Sequence, residues 1–459
     1  MKKRVLAVLL TVVMAAGLTS CGGNKEKANG TGDKVTITMW SSVSNDSTDN
    51  EKDSEALTQK LLAEKFPNYD IQFIKQPAGT DYRQEYDKAL MANKAPDIFL
   101  GFSYTDIPTR IQNGTIADIT ELVNDWDLKK QDLVIENFDK AISKDNKWYA
   151  IPRDAYVQAM LINKKAVQEG GGDLDNLPKT WDEFAKLGQQ ITDRSKPRFG
   201  YELLGMDWCA WPYTAWVWAA GGEMVTDNGD GTFKISFNED PGVDAAMYLH
   251  DMIWKYNMTQ KNVLASIDDV TTDITTGVAC YSWGAYGSLS KEKLDMHDLT
   301  FEDFAMAPMP VKDESIAMPS LAGGEVITFN PKADKETLKA AFEVAQYLYY
   351  DEEYLTQMWD FAKERGMFDI HIPARKDLLD KKLNSLDGLT QESKESFIEM
   401  TKNAYVEPYC QHWTDLKSQL VNPLQTIFTT ENITRDQIKT MLDDTAKTLY
   451  GLYPDAFKE

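Results

Sequence analysis

Cysteine and histidine are both scarce in this 459-residue chain, with four of each. Leaving out Cys21, the cysteines are Cys209, Cys280 and Cys410, odd in number and without paired spacing. That supports neither a disulfide framework nor a zinc site, though one disulfide between two of them stays open. His250, His297, His371 and His412 are scattered, so histidine-based metal or triad chemistry has little to work with. No metal and no cofactor is expected. Cations are outnumbered, with 49 Lys and Arg against 72 Asp and Glu, for a formal charge of −23. So acidic a body repels nucleic acid and anionic lipid, which excludes both as ligands. Beyond the first twenty residues there is no apolar run near the roughly 20 residues a bilayer span needs. There is no internal repeat, and no heptad or amphipathic stripe suggests an interface, so a monomer is expected.

What is present begins at the N-terminus. Lys2, Lys3 and Arg4 precede an apolar run from Val5 to Leu18, then Leu18-Thr19-Ser20-Cys21. This is the layout of a bacterial secretory signal, too short to span comfortably. The four residues ending in Cys21 resemble a lipobox, which implies cleavage before a cysteine carrying a diacylglyceryl thioether, with palmitate-type acylation. Two acyl chains anchor stably where one binds marginally. Residues 22–33 (GGNKEKANGTGD) are polar and Gly-rich, a flexible tether reaching about 20 Å. The expected location is the outer face of the cytoplasmic membrane.

The body opens with Val35-Thr36-Ile37-Thr38-Met39-Trp40, a period-two strand. A capping box at Thr48 to Glu51 then starts a helix with Leu57, Leu61, Leu62 and Phe66 at helical spacing. A strand at 70–75, a helix at 82–91 and the apolar run 97–102 follow. That alternation predicts an α/β fold with a parallel sheet, whose ligands sit beyond the carboxyl ends of its strands. A second strand and helix follow at 157–163 and from Thr180, where Thr180 and Glu183 form another capping box. The stretch from Trp208 to Trp218 is dense in aromatics, Asn228-Gly229-Asp230-Gly231 reads as a hairpin turn, and helices dominate from Lys335 onward.

Joint order and spacing carry a resemblance over nearly the whole body. Trp40 ends the first strand, Ala95-Pro96-Asp97-Ile98 opens another, and Ala150-Ile151-Pro152 is followed by Leu161-Ile162-Asn163-Lys164. Then come Pro178-Lys179-Thr180-Trp181-Asp182-Glu183-Phe184, Gly277-Val278-Ala279, Ala307-Pro308-Met309-Pro310 and Ile372-Pro373-Ala374-Arg375. In this the chain resembles the family 1 extracellular solute-binding proteins, the maltose-binding-protein-like receptors of ABC importers. The resemblance implies a two-lobe, type II periplasmic-binding-protein fold with ligand clamped between lobes that close by a hinge motion. Residues 1–20 would be signal, 21–33 the lipidated cysteine and tether, 34–152 with 310–367 the N-terminal lobe, and 153–309 with 368–459 the C-terminal lobe. The chain would cross between lobes near 151–155, 307–310 and 368–372. The implied partners are a carbohydrate, an oligosaccharide by preference, and the permease subunits.

The same resemblance places ligand contacts at Trp40, Ser41, Ser42 and Asp46 after the first strand, and at Tyr104 after the third. Arg153, Asp154 and Tyr156 lie past the first crossing; Trp208 and Trp211 match an aromatic-x-x-Trp-Pro segment; Trp283, Tyr286 and Trp413 complete the set. Aromatic platforms with charged edges suit sugars, which offer flat C–H faces and hydroxyl rims. Trp148 and Trp181 read as packing residues, and Trp216 and Trp218, two apart, do not face one site from a helix. Arg153 equally suits an interlobe ion pair. A secreted glycoside hydrolase would need two carboxylates flanking the bond, and Asp154, Asp207 and Glu325 are not placed together by the sequence. A peptide, polyamine or phosphate ester is the other alternative ligand, and a purely structural lipoprotein leaves the cleft residues unexplained.

Overall fold

Alternation of Ile37 and Met39 with Thr36, Thr38 and Trp40 gives a strand with one buried and one more exposed face, and it forms at Val35–Trp40. The computed structural model describes residues 34–459 apart from 45–46, 78–79, 127–132, 135–137, 207, 290, 368–370 and 387. Cys21, the leader and the tether lie outside them. The first strand pairs in parallel with Tyr69–Ile74 and with Ile98–Ser103. Helices Asp49–Lys65 and Tyr82–Met91 connect them, as the chain order requires of parallel strands. The Thr48 box caps the first helix: Glu51 N donates to Thr48 Oγ1 at 3.3 Å, and Thr48 N to Glu51 Oε2 at 2.6 Å. Glu325–Phe329 then pairs antiparallel with Ile98–Ser103, and Ile151–Pro152 closes the edge. Ile37, Met39, Ile98, Phe329 and Val344 share the core under helix Lys335–Tyr350.

The second sheet is organised by one ten-residue strand, Asp154–Asn163. Ala279–Gly284, Phe304–Ala307, Leu321–Gly323 and Ile372–Pro373 all pair antiparallel with it. Phe199–Glu202 adds in parallel to Ala279–Gly284. Helices Trp181–Ile191, Ala210–Ala219, Asp240–Trp254, Trp413–Thr429 and Arg435–Leu452 share its largest core, which holds Phe184, Trp216, Met252, Leu420 and Leu449. Trp181 is core: it stacks on Tyr248 with centroids 4.3 Å apart, and its indole donates to Pro310 O at 3.0 Å. Trp216 and Trp218 are buried as well. A further apolar cluster draws on both sheets, joining Phe99 and Phe102 to Val157, Leu161, Ala322 and Val326.

The chain passes between the sheets at Arg153, between Ile151–Pro152 and Asp154–Asn163. The second passage differs from the sequence expectation. Phe304–Ala307 stays paired with the long strand, Val311 N donates to Lys179 O, and Leu321–Gly323, expected in the first lobe, belongs to the second sheet. The chain leaves only at Gly324 and enters the first sheet at Glu325. Pro308 and Pro310 interrupt a strand without carrying the chain across. The Gly323-Gly324 pair is what the close approach demands. A Cβ on Gly324 would sit 2.4 Å from Asp154 O, and one on Gly323 2.2 Å from the Tyr156 ring. A third passage leads to Ile372–Pro373 and includes residues 368–370, outside the described ones.

One core residue is acidic. Glu202 is 1 % exposed, and burial first, then Asp273 and Asp269, push its carboxyl up to about 9. Below the ordinary 4.5 both folded and unfolded chains hold that proton, so the group contributes nothing. Between 4.5 and 9 only the folded chain keeps it, and stability falls by about 1.4 kcal/mol per pH unit. Glu202→Gln is therefore expected to raise the melting temperature at pH 7, by roughly 3 kcal/mol in stability, and to leave it unchanged at pH 4. Gly324→Ala is expected to lower it at every pH, with a loss of about 1–3 kcal/mol by denaturant titration.

Candidate functional site

In both sheets the parallel strands end toward the passages, so the segments beyond those ends are where the chain brings the two sheets' polar groups together. Arg153 stands at the centre. Its Nε donates to Asp154 Oδ2 at 2.7 Å, its Nη1 to Leu100 O at 2.9 Å, and its other terminal nitrogen pairs with Glu325. The backbones are tied too: Arg153 N donates to Glu325 O at 2.8 Å, and Glu325 N to Asp154 Oδ1 at 3.2 Å. Burial works against the guanidinium charge, but Asp154 leads the carboxylates that hold its pKa above the ordinary value. Burial also pushes Glu325 up, against the pull of Arg153. Arg153 is thus the ion-pair partner that the sequence allowed, and Asp154 is committed to it.

Tyr156 lies next along the strand. Burial raises its phenol well above the ordinary value, followed by Glu407, Glu325 and Asp154, with Arg83 opposing. Charges on elements of both lobes therefore act on one hydroxyl. Arg83, at the start of Tyr82–Met91, donates from Nε to Asp106 Oδ2 at 2.9 Å. Lys417 donates to the buried Glu407 Oε1 at 2.7 Å. Arg83, Asp106, Glu407 and Lys417 escaped the sequence reading. Asp106 and Arg83 carry one legible signal, since both flank strand ends at the predicted binding edge.

The aromatic residues form a connected series. Tyr156 and Trp211 meet edge to face with centroids 5.9 Å apart, Trp211 and Trp283 at 4.5 Å, and Trp208 and Trp211 at 6.5 Å. Trp208 is 56 % exposed and Trp283 6 %. On the first sheet Trp40, partly buried, packs edge to face on Phe99 at 5.3 Å and against exposed Tyr82 at 5.9 Å. Of the sequence-predicted residues, Tyr156, Trp208, Trp211 and Trp283 thus form one connected series, Arg153 and Asp154 stand at the passage, and Trp40 packs on the first lobe.

Four of the expected contact residues are turned toward partners within the protein. Ser41 is buried and its Oγ donates to Glu55 Oε2 at 2.6 Å, so it ties the first turn to the first helix. Tyr104 has no exposed surface. It stacks on Phe138 at 4.7 Å, and its hydroxyl points to the carbonyls of Ala322 and Glu407, plugging the seam between the sheets. Tyr286 is 2 % exposed within the cluster of Leu289 and Phe301. Trp413 is fully buried, donating from Nε1 to Glu407 Oε1 at 2.9 Å beneath Lys417. Each is an aromatic or hydroxyl group at the right place in the order of the chain whose side chain turns inward. Ser42 is exposed, and Asp46 lies outside the described residues.

Among the described residues no group of three or more His, Cys, Asp or Glu is placed to hold a metal, and no helix is long and apolar enough to cross a membrane. Cys209, Cys280 and Cys410 are buried and none of them is in a disulfide; burial pushes the Cys280 thiol up to about 12.

With this geometry in view, the comparisons with known proteins are informative. The family of bacterial extracellular solute-binding proteins matches residues 48–354. A maltotriose-binding protein of Pyrococcus abyssi is 25% identical over 217 residues, 45% of this chain and 42% of that protein. An sn-glycerol-3-phosphate-binding periplasmic protein of Yersinia pestis is 26% identical over 251 residues, 50% of this chain and 53% of that protein. This chain therefore spans about half the length of the curated relatives it matches. An ABC transporter solute-binding protein from Thermotoga lettingae, solved with α-D-tagatose bound, superposes with a TM-score of 0.70 at 20% identity, covering 91% of this chain and 100% of that one. The fold is the two-lobe fold of such proteins, and the chain belongs to the bacterial extracellular solute-binding family.

Proposed function

We propose that the protein is the lipid-anchored substrate receptor of an ABC importer, held by Cys21 at the outer face of the membrane, and that it binds a neutral carbohydrate, an oligosaccharide by preference, between its two lobes. The aromatic series Tyr156–Trp211–Trp283–Trp208 carries the reading. Such rings offer flat apolar faces to the C–H surfaces of a sugar, each contact being modest, so several are needed. The rim charges supply charge-assisted hydrogen bonds, roughly 1.5–3 kcal/mol each. Closure follows because groups of both lobes surround one place, and a ligand there stabilises the closed form by touching both.

Two of the relatives point to different ligands, a neutral oligosaccharide and a phosphate ester. The charges around Tyr156 favour the first. Each cation there already has an acidic partner: Arg83 has Asp106, Arg153 has Asp154 and Glu325, and Lys417 has Glu407. A phosphate would have to displace one of them. The same pairing weakens a hydrolase reading, since Asp154 and Glu325 clamp one guanidinium and neither stands free to transfer a proton to a glycosidic oxygen. Delivery to a permease and a monomeric state follow the family logic of closure and the expectation from the sequence.

A thermal-shift panel on the full chain in detergent tests this, with maltotriose, arabino-oligosaccharides, monosaccharides, glycerol 3-phosphate and polyamines. A ligand at 100 times its Kd adds about 2.7 kcal/mol. Stabilisation by a saccharide and not by glycerol 3-phosphate is expected; a shift with the phosphate or a polyamine alone overturns the carbohydrate reading. Trp208→Ala is expected to weaken saccharide binding while leaving the melting temperature within a degree or so, because its ring is largely exposed. Trp413→Ala, at a fully buried ring, is expected to cost about 3–5 kcal/mol of stability by denaturant titration.

A further inference from the structure

Several buried polar atoms on one face of the second sheet have no partner among the described residues, Tyr281 OH and Trp216 Nε1 included, and three of them follow one line of contacts. Along Asp154–Asn163 side chains alternate, so Tyr156, Gln158 and Met160 share a face. Met160 pairs with Trp283 of the neighbouring strand, which puts Trp283 on that face too. Trp211 joins the two ends, touching Tyr156 at 5.9 Å and Trp283 at 4.5 Å. Gln158 lies between them on the strand. Gln158 Oε1, Trp211 Nε1 and Trp283 Nε1 are all shielded from solvent and have no hydrogen-bond partner among the described residues. Trp283 as a whole is 6 % exposed.

Buried polar groups are nearly always paired, because an unpaired one forfeits its bonds to water. Here one acceptor and two donors go unpaired on the one face that Gln158 shares with Trp283 and that Trp211 packs against. A hydroxyl group has the complementary set, one O–H donor and two acceptor lone pairs. We propose that Gln158, Trp211 and Trp283 together form a hydroxyl-recognising subsite, in which a ligand O–H donates to Gln158 Oε1 and accepts from both indole N–H groups. Gln158 is then a specificity-determining residue. An ionised phosphate or carboxylate oxygen only accepts, leaving Gln158 unpaired, and an ammonium only donates, leaving both indoles unpaired. A quaternary ammonium does neither. The inference rests on the carbohydrate reading and sharpens it, since it selects a neutral hydroxyl over the charged head groups other solutes present.

The test is calorimetric titration of the full chain in detergent with the saccharide of the panel that gives the largest thermal shift, using wild type, Gln158→Leu and Trp283→Phe. Gln158→Leu is expected to weaken binding about tenfold, because the ligand hydroxyl is left without an acceptor, while its melting temperature stays level or rises. Trp283→Phe keeps a ring and loses the donor, and is expected to weaken binding to a similar degree. A deoxy analogue lacking the recognised hydroxyl should bind wild type about tenfold more weakly, yet Gln158→Leu no worse than the parent sugar. Affinity of Gln158→Leu within twofold of wild type overturns the subsite and leaves the carbohydrate reading standing, as does a loss of affinity that only tracks a loss of melting temperature. If wild type binds glycerol 3-phosphate and no saccharide, the carbohydrate reading falls, and the Gln158→Leu titration with that ligand decides the subsite by the same tenfold criterion. Binding to no panel member overturns both.

Discussion

A guanidinium taken out of water has to be matched by carboxylates, and that requirement at Arg153 organises the region where the two lobes meet. Asp154 and Glu325 flank it, and each lies on a different passage of the chain between the sheets. Their backbones bond each other as well, so the two passages behave as one unit. Both carboxylates hold the same partly buried guanidinium, so loss of either loosens the tie between the passages while the other still balances the charge. Gly324 completes the constraint, because only a residue without a Cβ allows the second strand to come so close to Asp154 O.

The seam beside this charge is sealed by apolar packing. Tyr104 stacks on Phe138, and the cluster joining Phe99 and Phe102 to Val157 and Leu161 draws on both sheets. Polar groups of both lobes are left to gather around Tyr156, and the tryptophans line the side toward the second sheet. The result is a place where every cation has an acidic partner while aromatic faces and unpaired hydrogen-bonding atoms remain.

Much of the fold was legible because it is local. Period-two alternation marked Val35–Trp40, the helix 82–91 follows its sequence pattern, and Thr48 and Thr180 cap their helices as the S/T-x-x-E spacing implies. The second passage was not legible. Pro308, Pro310 and the Gly323-Gly324 pair were equally available as punctuation, and only long-range strand pairing decides which of them carries the chain across. Leu321–Gly323 pairs with Tyr156–Gln158, more than 150 residues away, so nothing local marks it.

The sequence by itself determined the α/β alternation, the lipobox-like leader and the density of aromatic residues from which a sugar site can be built, because composition, periodicity and short spacings are properties of the chain alone. Tertiary structure decided which rings are exposed. Trp208 and Trp413 are the same residue type at comparable places in the family order, yet one is largely exposed and the other fully buried, donating to Glu407. The same holds for charge: which acidic partners Arg83, Arg153 and Lys417 take is decided by the fold. Side-chain direction and pairing depend on which distant elements pack together, and that information exists only once the chain has folded.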